Sequence, residues 1–306
     1  MDQIKAPFPY FGGKSKIAAE IWDRFGNVPN YIEPFFGSGA VLLSRPHKPG
    51  IETVTDTNCY LANFWRALQS DPEGVAYYAD WPVNEADQHA RHRWLVTNVE
   101  FRERMQHEPD YYDSKAAGYW VWGQSIWIGS GWCETIAEHT PTQIPHLSSG
   151  GMGIYRSSQT DSLINYIQQL AARMRKVRVC CGDWSRICGP SPTYRLGLTG
   201  VFLDPPYSID SEGNPEIYGG HQTSNAAEQA RQWAIENGGN PELRIALCGY
   251  QGEEMPQSWE AFTWKRSGGY GPASGNRFRE RIWFSPHCLR QPLLFDESNL
   301  LAVGID

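Results

Sequence analysis

No run of about 18 apolar residues occurs in this chain of 306 residues, so no membrane-spanning helix is expected. The opening residues, MDQIKAPFPY, lack the apolar core of a secretory signal. Both absences point to a cytoplasmic protein. The seven cysteines are odd in number, scattered, and include no Cys-x-x-Cys pair. Cys180 and Cys181 are adjacent on an expected strand, where they point to opposite faces, so reduced thiols are expected rather than a disulfide framework. The eight histidines form no metal-binding motif, and no metal is expected. Positive charge is also scarce. The formal net charge is -7, which argues against a protein that coats nucleic acid. One basic concentration stands out. Residues 265–281 hold Lys265, Arg266, Arg277, Arg279 and Arg281 against a single acid, Glu280. It reads either as a solvated face or as a phosphate contact.

What is present is a core-forming composition. Aliphatic and aromatic residues make up 41%, enough for one large domain or two modest ones. Short apolar runs bounded by Gly, Pro, Asp or Asn predict strands at 31–33, 52–55, 177–180, 201–203, 244–247 and 281–284. Helical periodicity falls between them: Ile17, Ile21 and Phe25; Leu163, Ile167, Leu170 and Met174; Ala226, Ala230, Trp233 and Ala234, ended near Gly238-Gly239. Alternating strands and helices predict a parallel α/β sheet with ligands beyond the carboxyl ends of its strands. Residues 60–159 break the rhythm. They carry seven of the thirteen tryptophans and no convincing buried strand, and read as a mostly helical insertion. The expected division is therefore 1–59 with 160–306, interrupted by 60–159. The tail after Pro286 reads as peripheral.

Four loops follow or precede these strands. Asp204-Pro205-Pro206-Tyr207 ends the run Gly200-Val201-Phe202-Leu203. Its prolines fix φ and remove two donors, so Asp204 and the Pro205 carbonyl become acceptors in a stiff frame beside an aromatic ring. Such a frame suits an amino group on a flat ring. Glu33-Pro34-Phe35-Phe36-Gly37-Ser38-Gly39 follows the first strand, and its glycines permit a sharp turn. Asp56, at the end of the second strand, stands where nucleotide sites place an acid for ribose hydroxyls. Pro7-Phe8-Pro9-Tyr10-Phe11-Gly12-Gly13-Lys14 offers a tight approach and a cation, or is a plain N-terminal loop. Cys181-Gly182-Asp183-Trp184 offers an acid and a ring to an adenine, or is a helix cap beside a core tryptophan.

In their order along the chain, the Phe8–Lys14 segment, Glu33-Pro-Phe-x-Gly-x-Gly and Asp204-Pro-Pro-Tyr207 resemble the Dam-like DNA adenine methyltransferases. The resemblance covers most of the chain outside 60–159. It implies a Rossmann-like fold dependent on S-adenosylmethionine, with 60–159 as an inserted target-recognition domain. It implies that Tyr10, Gly12, Gly13 and Lys14 help bind S-adenosylmethionine. The turn with Glu33, Pro34, Phe35, Gly37 and Gly39 would cradle its methionine part, and Asp56 would hold its ribose. Asp183 and Trp184 would border its adenine. Asp204, also lining the cofactor site, would form the catalytic loop with Pro205, Pro206 and Tyr207. Lys265, Arg266, Arg277 and Arg279 would grip phosphates of double-stranded DNA. The expected product is N6-methyladenine, made at specific sites by a monomer that flips the base. The residues leave open the amine of cytosine, an RNA acceptor, and a non-catalytic DNA-binding module of the same fold. Residues 60–159 hold seven Lys/Arg and twelve Asp/Glu, so they do not form a strong phosphate-binding surface.

Overall fold

The computed structural model describes residues 4–10, 14–108, 111–127, 132–133, 144–147, 152–156, 162–206, 223–264 and 280–290. A seven-stranded sheet forms its centre. In chain order the strands are β1 (Asn30–Glu33), β2 (Ile51–Asp56), β3 (Arg178–Cys181), β4 (Thr199–Leu203), β5 (Leu243–Tyr250), β6 (Glu260–Thr263) and β7 (Glu280–Phe284). They lie side by side as β3-β2-β1-β4-β5-β7-β6. The first five pair in parallel, as the alternating pattern predicts. The wholly parallel sheet expected from sequence needs one correction. β7 runs antiparallel between β5 and β6. β6 itself has no sequence signature. Its four residues, Glu-Ala-Phe-Thr, are mostly exposed at the sheet edge, so no apolar run marks them.

β1 and β4 are buried along their whole length, which is why they read as continuous rather than alternating patterns. Their side chains still divide between two faces. Tyr31, Val54, Phe202 and Ala246 point into a core shared with α1 (Ala18–Phe25), α3 (Cys59–Ser70) and α8 (Leu163–Met174). Ile32, Val201, Leu203, Ile245 and Leu247 point to the other face. There Ala230 and Ala234 of α9 (Thr223–Asn237) cover them together with Trp184. α1 follows its periodicity: Ala18, Ile21, Trp22 and Phe25 are buried, and Gly26 at φ 60° ends the helix, its N–H bonded to Trp22 O at 2.7 Å.

The stretch expected to be helical is so among the described residues. It carries α3, α4 (Pro72–Ala79), α5 (Glu85–Thr97), α6 (Val99–His107) and α7 (Ser114–Ile126). Side-chain caps set their starts. Asn58 accepts from the N–H groups of Tyr60 and Leu61, Asp71 from Gly74 and Asp113 from Ala116. α7 is buried nearly all round and is the centre of the bundle, packed on α3 and α4. Its Trp120, Val121, Trp122 and Ile126 belong to the same continuous core as the sheet face above α3. No helix among the described residues is long and apolar enough to cross a membrane.

Candidate active site

The sheet order reverses between β1 and β4, and open α/β sheets bind ligands outside the carboxyl ends of their strands at such a point. Glu33 ends β1 and Asp204 directly follows β4. The two motif loops therefore flank the same crevice mouth. Tyr31↔Glu52 and Ile32↔Val201 in the register bring β2 and β4 to either side of β1.

Lys14 crosses this mouth. Its Nζ lies 2.8 Å from Asp204 Oδ2, joining residues 190 positions apart. Lys14 is buried, and Asp204 keeps 18% of its side-chain surface exposed. Burial is the largest single influence and lowers the Lys14 pKa, but the charge and hydrogen bond of Asp204, together with Cys248 and Glu280, outweigh it, so the ammonium is held above its ordinary value. Glu33 is also buried, at 2% exposure, and accepts from the Tyr31 hydroxyl at 2.9 Å. Burial pushes its carboxyl well above the usual range, more than the Tyr31 bond lowers it. Pro205 is buried and Pro206 half-buried beside Asp204.

The glycine turn is left-handed at both expected positions, Gly37 at φ 49° and Gly39 at φ 67°. What the missing side chains make room for is the chain's own rings. A Cβ on Gly37 would stand 2.7 Å from the Tyr10 ring, and one on Gly39 2.7 Å from the Phe36 ring. Asp56 ties the turn to β2. Its Oδ2 accepts from Gly37 N at 3.1 Å and its Oδ1 from Asn58 N at 2.9 Å, with the Thr57 N–H also directed at it. Burial outweighs these donors and raises its pKa. A carboxylate offers about four lone-pair directions, so room for about one further donor remains.

Asp183 is exposed and caps the 3-10 turn Trp184–Ile187, accepting from Ser185 N at 2.9 Å. Trp184 is buried and stacks on the half-buried Phe35 with centroids 5.9 Å apart. Its indole N–H has no hydrogen-bond partner among the described residues. The ring thus braces Phe35. Pro34 is buried as well.

The helices after β2 hold both loops in place. Phe8 packs edge-on against Trp120 at 4.9 Å and Phe64 at 5.5 Å, and Gln124 donates to Pro9 O at 3.1 Å. Trp65 donates to Gly37 O at 3.3 Å. Sequence reasoning missed these supports, as it missed Cys248 and Glu280 beside Lys14. Glu280 had one signal, being the lone acid in a basic run; Cys248 had none. Gly12, Gly13, Tyr207, Lys265, Arg266, Arg277 and Arg279 lie outside the described residues. Among the described residues no group of three or more His, Cys, Asp or Glu side chains is arranged to hold a metal.

Residues 10–119 match the family model of the D12 class N6 adenine-specific DNA methyltransferases, a family of enzymes. The match begins at Tyr10 and takes in Lys14, the glycine turn, Asp56 and α3 to the middle of α7. The Asp204 turn lies beyond it, joined to it by the Lys14 ion pair. No curated protein matched the chain.

Proposed function

We propose that this chain, which over residues 10–119 matches an N6 adenine-specific DNA methyltransferase family, transfers a methyl group from S-adenosylmethionine to the N6 amine of adenine flipped out of DNA. The observation that carries the reading is the Lys14–Asp204 contact. It sets an Asp-Pro-Pro acceptor frame against the matched segment at the switch point of the sheet.

The residues present fit the cofactor. Asp56 retains room for a ribose hydroxyl beside the left-handed glycine turn. Tyr10, Lys14, the turn from Glu33 to Gly39, Asp56 and the Asp183–Trp184 corner would hold it. S-adenosylmethionine supplies, when bound, an electrophilic methyl on a sulfonium. Asp204 and the Pro205 carbonyl accept the two hydrogens of the adenine amine. That draws the nitrogen lone pair out of the ring and stabilises the positive charge that develops on the nitrogen. Lys14 holds Asp204 Oδ2, so the carboxylate is oriented before the base arrives and little reorganisation is left for the reaction. Tyr207 stacks on the base, and Lys265, Arg266, Arg277 and Arg279 contact phosphates around it. Residues 60–159 would act as the target-recognition region.

Incubation with methyl-labelled S-adenosylmethionine and adenine-containing duplex DNA tests this. Label should appear as N6-methyladenine on nucleoside analysis, and Asp204→Ala should remove it. N4-methylcytosine as the product, or label that survives Asp204→Ala unchanged, would sink the assignment.

A further inference from the structure

A second side chain besides Lys14 stands beside the Asp204 carboxylate. β4 and β5 run in parallel register with Leu203 opposite Leu247. One step further sets Asp204 beside Cys248, with both side chains on the same face of the sheet. On the other side of β5, Cys248 pairs with Ile282 of β7, and Glu280 lies two residues away on that face. Cys248 is 2% exposed, and the Asp204 carboxylate is close enough to act on its thiol. Burial first, and then the charge of Asp204, hold the thiol well above its ordinary pKa. It is therefore a neutral S–H donor and not a thiolate.

We propose that Cys248 is a positioning residue for the methyl transfer, fixing the Asp204 carboxylate against Lys14 in the orientation that receives the amine. This rests on the reading of Asp204 as the amine acceptor. A carboxylate turns on a broad torsion, and one contact from a long lysine leaves that rotation open. Two donors from separate elements, the N-terminal loop and β5, define its plane. Of the roughly four lone-pair directions two then remain for the substrate. A misplacement of about 1 Å at such a group costs on the order of a hundredfold in rate, so the second donor has a measurable effect.

The full chain, labelled S-adenosylmethionine and adenine-containing duplex DNA suffice for the test. Cys248→Val keeps a side chain of similar size suited to a strand but removes the donor; Cys248→Ser keeps a donor. We expect Cys248→Val to lose roughly tenfold in kcat with KM for S-adenosylmethionine unchanged, and Cys248→Ser to recover most of the loss. Infrared difference spectra against Cys248→Val isolate the Cys248 S–H stretch. That band should move to higher frequency in Asp204→Ala. Wild-type kcat in Cys248→Val, equal losses in both variants that track melting temperature, or an S–H band indifferent to Asp204→Ala would each overturn the role. Were the unsubstituted protein to transfer no methyl, the parent reading would fail and this role with it. An active protein with an inert Cys248→Val would remove this inference alone.

Discussion

Glu33 shows how a residue legible in sequence acquires its chemistry from its surroundings. Its position after the first strand follows from the motif, but its protonation does not. Buried at 2% exposure, with Asp204 and Glu52 adding to the effect of burial, its carboxyl holds a proton far above the ordinary range. The sign for stability follows. Above the usual carboxylate pKa the unfolded chain has released this proton while the native state keeps it. Stability therefore falls as pH rises from that range toward the native value. Glu33→Gln should flatten this decline in a melting-temperature profile against pH. A profile with the same slope in both proteins would mean that Glu33 is ionised in the fold. At the same scale, Lys14 and Asp204 were legible separately. Their 2.8 Å contact was not, because it joins residues 190 positions apart.

At the scale of elements, one buried carboxylate ties together three pieces of chain. Glu52 of β2 receives Arg173 of α8 at 2.7 and 2.8 Å and Arg45, just past α2 (Ala40–Leu43), at 3.1 Å. Removing one partner leaves a charge short of compensation in the interior, where breaking a buried pair costs about 3 kcal/mol or more. Arg173→Met should lower the denaturant midpoint accordingly. The exposed pair between Arg104 of α6 and Glu108 just past its end lies in water, and Arg104→Gln should leave the midpoint where it is. Equal effects of the two substitutions would contradict this ranking. Strand existence was readable wherever a strand was buried. β6 escaped because only an edge strand with an exposed pattern stood there, its Glu260 held by Arg24 of α1 at 2.7 Å.

For the whole molecule, the sheet and the helices after β2 share one core. Trp120 of α7 touches Phe8, which precedes Lys14, while Trp65 of α3 bonds to the glycine turn. A cavity in that helical layer is therefore felt at the sheet. Trp120→Ala should cost about 3–5 kcal/mol and leave a single unfolding transition, with far-ultraviolet and tryptophan signals falling together. Two separated transitions would show instead that residues 60–159 unfold as a unit of their own. The sequence break at residue 60 is a change in pattern from strand and helix to helix alone. It carries no information on whether the two patterns pack on each other.

By itself the sequence determined six of the seven strands among the described residues, the helical character of the middle segment there, and the loops that hold the candidate site residues. Those features depend on neighbours in the chain: apolar runs, turn formers and helical spacing. Tertiary structure alone decided the antiparallel β7, the aromatic rings that occupy the space left by Gly37 and Gly39, the raised carboxyl pKa of Glu33, and the pairing of Asp204 with Lys14. Each of these depends on burial or on contact between segments distant in sequence, and neither quantity is written in local spacing.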